Sequence, residues 1–414
     1  MKTPIAILSV ILSVGFSHAQ TFTNYTTADG LVNNGVNCLD VAAGDVMWFG
    51  TQGGVSVFDG STWTTHNTST DPGFVDDVIT AIKVLSNGDV VVGSDFGFSV
   101  YNGSSWTTYT EADGLGEDRI KTIYEGSNGV VYFGTNAGVS LYNGVSFTNL
   151  GTADGLPFGG VTSIVERSAD VVYLGTALGG VTISTSGVFT EITENEGLLN
   201  DKVRAIVLDS QNNKWIGTSD GISVYDDSEQ LIGQHTRMFE LPAPDTLNPV
   251  EDIRIDSEGN VWVGVYVDYL VTEGGISAYN GTDWTQFDVS DGLIGPVVRQ
   301  LAIDSQDNIW VATSSGVSKL SDVDLGGGSG TGILNSAQIA TLTVYPNPAS
   351  DVVMVELADS NKANEIRIYD SALRLIGTES VAANASRVQL SVAGLTDGMY
   401  ILKVGRSVAR LVVQ

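Results

Sequence analysis

The chain has 414 residues, of which 48 are Asp or Glu and 19 are Lys or Arg, giving a formal net charge of -29 although only 16% of residues are charged. Soluble domains are on average about 25% charged and about 7% glycine, so 49 glycines in a chain that is 42% apolar imply many tight turns around buried strands. Collagen is excluded because the glycines lack a three-residue period, a disordered acidic polymer by the apolar patterning, and nucleic acid as a partner by the scarcity of a basic footprint for phosphates.

The first residues read as an address. Met1-Lys2 is a short basic start, residues 4–16 are an apolar stretch, and Ser17-His18-Ala19 ends in small residues. This is the pattern of an export signal, placed at residues 1–19 with Gln20 as the mature N-terminus. The stretch is shorter than the roughly 20 residues needed to cross a bilayer, and no later stretch is longer, so no transmembrane segment is expected once the signal is gone. Cys38 is the single cysteine, so no intrachain disulfide supports the exported fold.

From residue 21 to 321 the chain repeats itself. Trp48-Phe49-Gly50-Thr51, then Gly54-Val55-Ser56-Val57-Phe58, then Trp63-Thr64-Thr65 return in the same order, with Gly50, Gly93, Gly134, Gly175, Gly217, Gly264 and Ala312 as equivalent positions. Each copy holds four short alternating runs that read as strands; in the third they lie at residues 120–125, 130–134, 139–142 and 146–150. Polar turns such as Asp209-Ser210-Gln211-Asn212-Asn213 separate the first two, and Asn143-Gly144 or Asn280-Gly281 separates the last two, a pairing that favours hairpin turns. Four-stranded units repeating at roughly forty residues predict an all-β, seven-bladed β-propeller over residues 20–321. The seventh copy stops at Lys319-Leu320 without a fourth strand, and the missing piece stands at the other end as Phe22-Thr23-Asn24-Tyr25 running into Asp29-Gly30-Leu31. The N-terminal strand is therefore expected to close the last blade.

Trp215-Ile216-Gly217-Thr218 followed by Gly221-Ile222, with Asp-Gly-Leu loops such as Asp113-Gly114-Leu115 before the next inner strand, resembles the two-component regulator propeller family. The resemblance covers about 300 residues by repetition. It implies a propeller of the kind that often forms the extracellular sensor of a membrane histidine kinase, although in this chain no membrane helix or kinase follows the repeats.

Residues 322–341, with Gly326-Gly327-Gly328-Ser329-Gly330, read as a linker, and residues 342–414 as a small β-sandwich of short alternating strands. Tyr345-Pro346-Asn347-Pro348-Ala349, the run Ile366-Arg367-Ile368-Tyr369-Asp370, Leu395 with Gly398-Met399-Tyr400-Ile401, and the apolar C-terminus resemble the C-terminal sorting domain of the type IX secretion system of Bacteroidetes. That resemblance implies the type IX machinery as a partner, export across the outer membrane, removal of the domain, and release or attachment to surface lipopolysaccharide. Ala372 stands where the family often has glycine, and Arg410 where it often has lysine.

Chemistry-bearing residues are few. His66 and His235 are expected on outer strands or their hairpins, too sparse for a triad or a zinc cluster. Cys38 reads as a buried filler. Asp209, Asp256 and Asp304 open polar turns, and a single carboxylate per turn fits a backbone-bonding turn better than a calcium site, so no metal and no cofactor is assigned. The more telling comparison runs across copies. The residue after the first hydrophobic residue of each inner strand is polar throughout: Asn37, Thr80, Lys121, Thr162, Arg204, Glu251 and Arg299. These positions follow the outer-to-inner loops and are expected to ring one mouth of the central channel. On the same face the sixth copy enlarges a turn that carries Tyr266, Asp268, Tyr269 and Glu273. Aromatic faces beside a few charges suit sugar rings or a peptide with an acidic group. Lys121, Arg204, Glu251, Arg299, Tyr266, Asp268, Tyr269 and Glu273 are thus the candidate ligand-binding residues. Glu251 could pair with either Arg204 or Arg299, and a purely stabilising ion network fits the same pattern. The hairpin at residues 226–236 falls on the opposite face and reads as decoration.

The expected function is a secreted or cell-surface propeller that binds or senses an extracellular glycan or protein, with no catalytic residue assigned. Two alternatives remain. One is a polysaccharide lyase or hydrolase using Asp268, Glu273 or Glu251 as acid or base near Arg204 and Arg299; the other is a purely structural surface protein.

Overall fold

The computed structural model describes residues 20–157, 159–240, 248–266, 273–325, 343–349, 351–356, 365–369, 375–380, 387–396, 398–404 and 407–414. The expected signal at 1–19 and residues 326–341 of the expected linker lie outside them. The chain divides into two compact units, Met1–Gly328 and Ser329–Gln414.

In the first unit the described residues form seven antiparallel sheets of four strands. The third sheet is typical: an inner strand Ile120–Glu125, then Val131–Thr135, Gly138–Tyr142 and an outer strand Phe147–Gly151. Second strands are buried along all or nearly all of their length, completely so in Val131–Thr135 and Ile309–Thr313, because each is covered by a neighbouring blade on either face. This packing explains the repeated glycine. A Cβ on Gly93 would lie 2.6 Å from Ile120 Cγ2, and one on Gly217 2.6 Å from Val250 Cγ1. Both contacts are to the inner strand of the next blade, closer than atoms can approach.

The Gly-Thr-x-x-Gly run is a strand turn. Thr51 Oγ1 donates to Gly54 O at 2.8 Å and Thr313 Oγ1 to Gly316 O at 2.9 Å, while Gly54 and Gly316 hold φ of 112° and 140°, which side chains avoid. The Asp-Gly-Leu loops are tight turns, single 3-10 turns in the third- and fourth-blade entries at Glu111–Asp113 and Thr152–Asp154. Asp113 accepts from Thr110 N–H at 2.9 Å, Gly114 takes φ 108°, and Leu115 is buried in the blade interface. Phe74 fills the leucine place after the first blade and Glu196 the aspartate place after the fourth.

The ring closes as expected. Thr21–Tyr25 pairs with Gly316–Ser321, Tyr25 opposite Val317, so the first strand of the mature chain is the outer strand of the seventh blade. At the inner end, Gln300 Oε1 of that blade accepts from Leu39 N–H of the first at 2.9 Å.

Four carboxylates latch neighbouring blades together. Ser86 donates its N–H and hydroxyl to Glu125 at 2.7 Å each, and Ser305 does the same to Asp45 at 2.9 and 2.8 Å. Ser127 with Glu166 and Ser257 with Asp307 repeat the latch. A carboxylate suits this place because it accepts two bonds at once and carries no donor that would need a partner of its own.

In the second unit Thr343–Tyr345, Val352–Glu356 and Arg387–Ser391 form one sheet, and Leu375–Ser380, Glu365–Tyr369, Gly398–Val404 and Ser407–Val413 another. Val353 and Val355 of the first share a core with Ile366, Leu402 and Leu411 of the second. The Tyr-Pro-Asn-Pro-Ala segment holds the chain end in place. Asn347 Oδ1 accepts from Val412 N–H and Ala349 O from Gln414 N–H, each at 2.9 Å.

Candidate functional site

The cross-copy polar position has a structural cause. In six inner strands the register to the second strand slips by one residue, and the skipped residue is Asn37, Lys121, Thr162, Arg204, Glu251 or Arg299. A β-bulge leaves one residue unpaired and re-aims its side chain. In the second blade Thr80 N–H bonds Gly93 O, the residue paired with Ala81. The seven positions are thus equivalent in structure as well as in sequence.

Four of the seven side chains reach along the ring to the next blade. Asn37 Nδ2 donates to Ile79 O at 2.9 Å, Thr80 Oγ1 to Ile120 O at 2.7 Å and Thr162 Oγ1 to Val203 O at 2.8 Å. Arg204 Nη1 forms an ion pair with Glu251, both largely buried. Glu251 therefore pairs with Arg204 and not with Arg299. Lys121 and Arg299 are exposed and have no hydrogen-bond or ion-pair partner among the described residues.

The sixth blade brings two further candidates to this end. Tyr266 closes the strand Val261–Tyr266, whose Val265 pairs with Val250 beside Glu251, and Glu273 directly precedes Gly274, the partner of Tyr266. Both are half-buried. Asp268 and Tyr269 lie outside the described residues.

Beneath the bulges runs a second set of contacts that the sequence comparison missed. Ser163 Oγ accepts from Ile206 N–H at 3.0 Å and Asp252 Oδ2 from Leu301 N–H at 2.8 Å, just as Gln300 does from Leu39. Asp252 also meets Arg254 at 3.1 Å. Burial raises its pKa, against the opposing charge of Arg254 and the bond from Leu301. These residues sit one place beyond the bulge, where small or apolar side chains in other copies hide the pattern.

The remaining polar groups are occupied by structure. Asp256 accepts from Glu258, Asn260 and Trp262 Nε1, and Asp304 from Gln306, Asn308 and Trp310 Nε1. Burial opposes ionisation of Asp304, but the bonds from Trp310 and Asn308 and the charge of Lys319 outweigh it and hold its pKa low. Cys38 is buried against Gly50, and burial pushes its thiol pKa up. The hairpin of the fifth copy is more than decoration: Asp227 pairs with Arg167 at 2.8 Å and Glu229 accepts from Tyr173 Oη at 2.6 Å, clamping the fourth blade to the fifth.

His66 and His235 lie on outer strands, in Trp63–His66 and Leu231–His235. His235 stacks on Trp215 at 5.4 Å and its Nδ1 accepts from Trp284 Nε1 at 3.2 Å. Protonating Nδ1 would replace that acceptor with a second donor. His66 has the same neighbours in Trp48 and Trp106, but also Asp71 at 3.0 Å. Burial depresses the pKa of His235, so its contribution is present above the unfolded value near 6.5 and lost as pH falls through the lower folded value. Urea midpoints of the wild type are expected to fall on acidification below about pH 6.5. His235→Asn, which keeps an acceptor but cannot titrate, should flatten that fall; an unchanged slope would refute the assignment.

Comparison with known proteins supports this architecture. Residues 343–414 match the secretion system C-terminal sorting domain and residues 292–315 the two component regulator propeller. No curated protein matches the sequence. Among solved structures, the chain is similar to the extracellular domain of a hybrid two component system from B. thetaiotaomicron, with TM-score 0.61 and 16% identity over 92% of this chain and 52% of that one. It is also similar to PorZ, an essential surface component of the type-IX secretion system of Porphyromonas gingivalis, with TM-score 0.55 and 16% identity over 92% of this chain and 60% of that one. A virginiamycin B lyase from Staphylococcus aureus shares the propeller, with TM-score 0.57 and 14% identity over 73% of this chain and 99% of that one. The chain thus spans between half and two thirds of the first two, and at these identities the likeness is one of fold. Among the described residues no helix is long and apolar enough to cross a membrane. A propeller joined to this sorting domain is a protein of the cell exterior, secreted or held at the surface.

Proposed function

We propose that the propeller binds an extracellular glycan or protein through an anionic group at the bulge ring, with Lys121 and Arg299 as the contacting cations. One observation carries this reading: of seven equivalent side chains, four are tied to the next blade, whereas these two cations stand exposed without partners among the described residues. The Arg204–Glu251 pair then serves as a fixed wall, and Tyr266 supplies an aromatic face for a sugar or side chain. The proposal extends to Asp268, Tyr269 and Glu273, which the sequence assigns to the same enlarged turn. The sorting domain acts in transit, as the part that engages the type IX machinery. An acid-base role for Glu251 fits less well, because Arg204 already engages its carboxylate.

The test is a screen of the mature propeller against acidic glycans and acidic peptides, followed by Lys121→Ala/Arg299→Ala. Hydrogen bonds to charged groups contribute about 1.5–3 kcal/mol each, so the double variant should lose tenfold or more in affinity while its urea midpoint stays unchanged. Undiminished binding by the double variant would sink the reading.

A further inference from the structure

The ladder register defines another equivalent position in every blade: the third-strand residue opposite the second-strand residue three places before the repeated glycine, or before Ala312 in the seventh. It is Phe58 opposite Trp63, Tyr101 opposite Trp106, Tyr142 opposite Phe147, Tyr225 opposite Leu231 and Tyr279 opposite Trp284. Leu320 opposite Phe22 is the seventh-blade version. In the fourth blade it is Ser184, opposite Phe189.

In four blades the ring at this position crosses to the outer strand of the preceding blade, Phe58 lying 5.2 Å from Tyr25. Tyr101 lies 5.1 Å from His66, Tyr142 5.4 Å from Tyr109 and Tyr279 5.0 Å from His235. The residue corresponding to His66, Tyr109 and His235 in the third blade is Leu150, set by its pairing with Val139. Between Leu150 and Ser184 the structure has a cavity of about 190 Å³, whose wall includes Tyr132, Leu141, Phe189 and, toward solvent, Asp170 and Ser186. Its volume compares with the roughly 150 Å³ cavity that accepts benzene once a core side chain is removed. Ser184 thus omits a ring that five of its six sister positions supply, and the apolar walls remain.

We propose that this seam between the third and fourth blades is a binding site for a single aromatic ring carrying an amine or another hydrogen-bond donor. The ring takes the place of the missing third-strand side chain, against Tyr132, Leu150 and Phe189. The donor group meets Asp170, whose carboxylate is exposed and has no partner among the described residues. No basic residue lines the cavity, so an aryl carboxylate is disfavoured. None of the bulge-ring residues lines it either, so the site stands independently of the mouth reading.

The experiment titrates the full mature protein with p-cresol, tyramine, 4-hydroxyphenylacetate and a capped peptide containing one tyrosine, read by NMR shifts and thermal melting. Saturable binding is expected, with tyramine tightest and the acid weakest. Binding of tyramine but not of the peptide identifies a small-molecule site; equal binding of the peptide identifies a protein side chain as the source of the ring. Ser184→Tyr should fill the cavity, abolish binding and raise the melting temperature. Asp170→Asn should leave p-cresol binding intact and bring tyramine down to the same level, which tests the site without altering its packing. No saturable binding of any probe, or full binding retained by Ser184→Tyr, overturns the proposal.

Discussion

Removing residues 20–25 from the mature chain is expected to cost more stability than any single substitution in the propeller. The strand Thr21–Tyr25 makes a five-residue ladder with Gly316–Ser321. Tyr25 stacks on Trp310 at 5.7 Å and touches Phe58 at 5.2 Å and Trp63 at 5.7 Å, while Phe22 packs with Leu320 and Leu293. Fully burying an aromatic side chain stabilises by about 1.5–3 kcal/mol; Phe22 and Tyr25 are half-buried, so the two rings together contribute about 2–3 kcal/mol, before any loss from the ladder. Net stabilities are only about 5–15 kcal/mol. The deletion also bares Gly316–Ser321 as an unpaired edge, a template for aggregation. The urea midpoint should therefore drop sharply and the protein should self-associate. Grafting the same segment after Ser321, through an Asn-Gly hairpin like that at Asn280-Gly281, supplies the strand from the other side and should restore both. A deletion variant with an unchanged midpoint would show that closure carries no stability.

That closure was legible in the sequence because the seventh copy lacks a piece which the N-terminus holds. Repetition makes such accounting possible: a position can be compared with its own sisters even without any other protein. The same comparison exposed the bulge residues, since Asn37, Thr80, Lys121, Thr162, Arg204, Glu251 and Arg299 share polarity and nothing else. It could not tell which of them were engaged. Whether Glu251 reaches Arg204 or Arg299 depends on the direction in which the bulge turns each side chain around the ring, and that direction is fixed by three-dimensional register. The latches failed to register for a different reason. Ser86 with Glu125 and Ser305 with Asp45 join residues from separate copies, so a reading within one repeat sees only a polar turn. Strand ends were placed within a residue in the third copy. In the tail the strand Leu375–Ser380 went unseen, where Gly377 interrupts a short pattern.

Glu229→Ala is expected to be the most damaging point substitution on the outer side of the fifth blade, whereas Lys214→Met should be nearly silent. Lys214 is completely buried, with its ammonium 3.1 Å from Glu229, bonded to Asp226 O and 5.5 Å from the centre of the Tyr173 ring. Tyr173 is buried as well and donates to the same carboxylate, and burial together with that carboxylate pushes its phenol pKa up. Removing Glu229 leaves a buried cation without its counter-charge, held by Asp226 O alone, and a buried hydroxyl without its acceptor. Breaking a buried pair from one side costs about 3–5 kcal/mol; because the Glu229 side chain is 32% exposed, water offsets part of this and about 2–3 kcal/mol is expected. Removing the cation instead leaves the carboxylate with the bond from Tyr173 and partial access to water, whereas removing the carboxylate strands a fully buried ammonium, the costlier way to break a buried pair. The chain's own repeats support that choice. The residue paired with the third-strand aromatic is Met47, Val90, Val131 or Val261 in other blades, and Lys214 is the charged exception, opposite Tyr225. Glu229→Gln keeps the acceptor and should fall between the two. Urea unfolding of the three variants decides the matter: equal losses from Glu229→Ala and Lys214→Met would mean that the ion pair itself, and not relief of an unpaired buried charge, sets the stability of the clamp between the fourth and fifth blades.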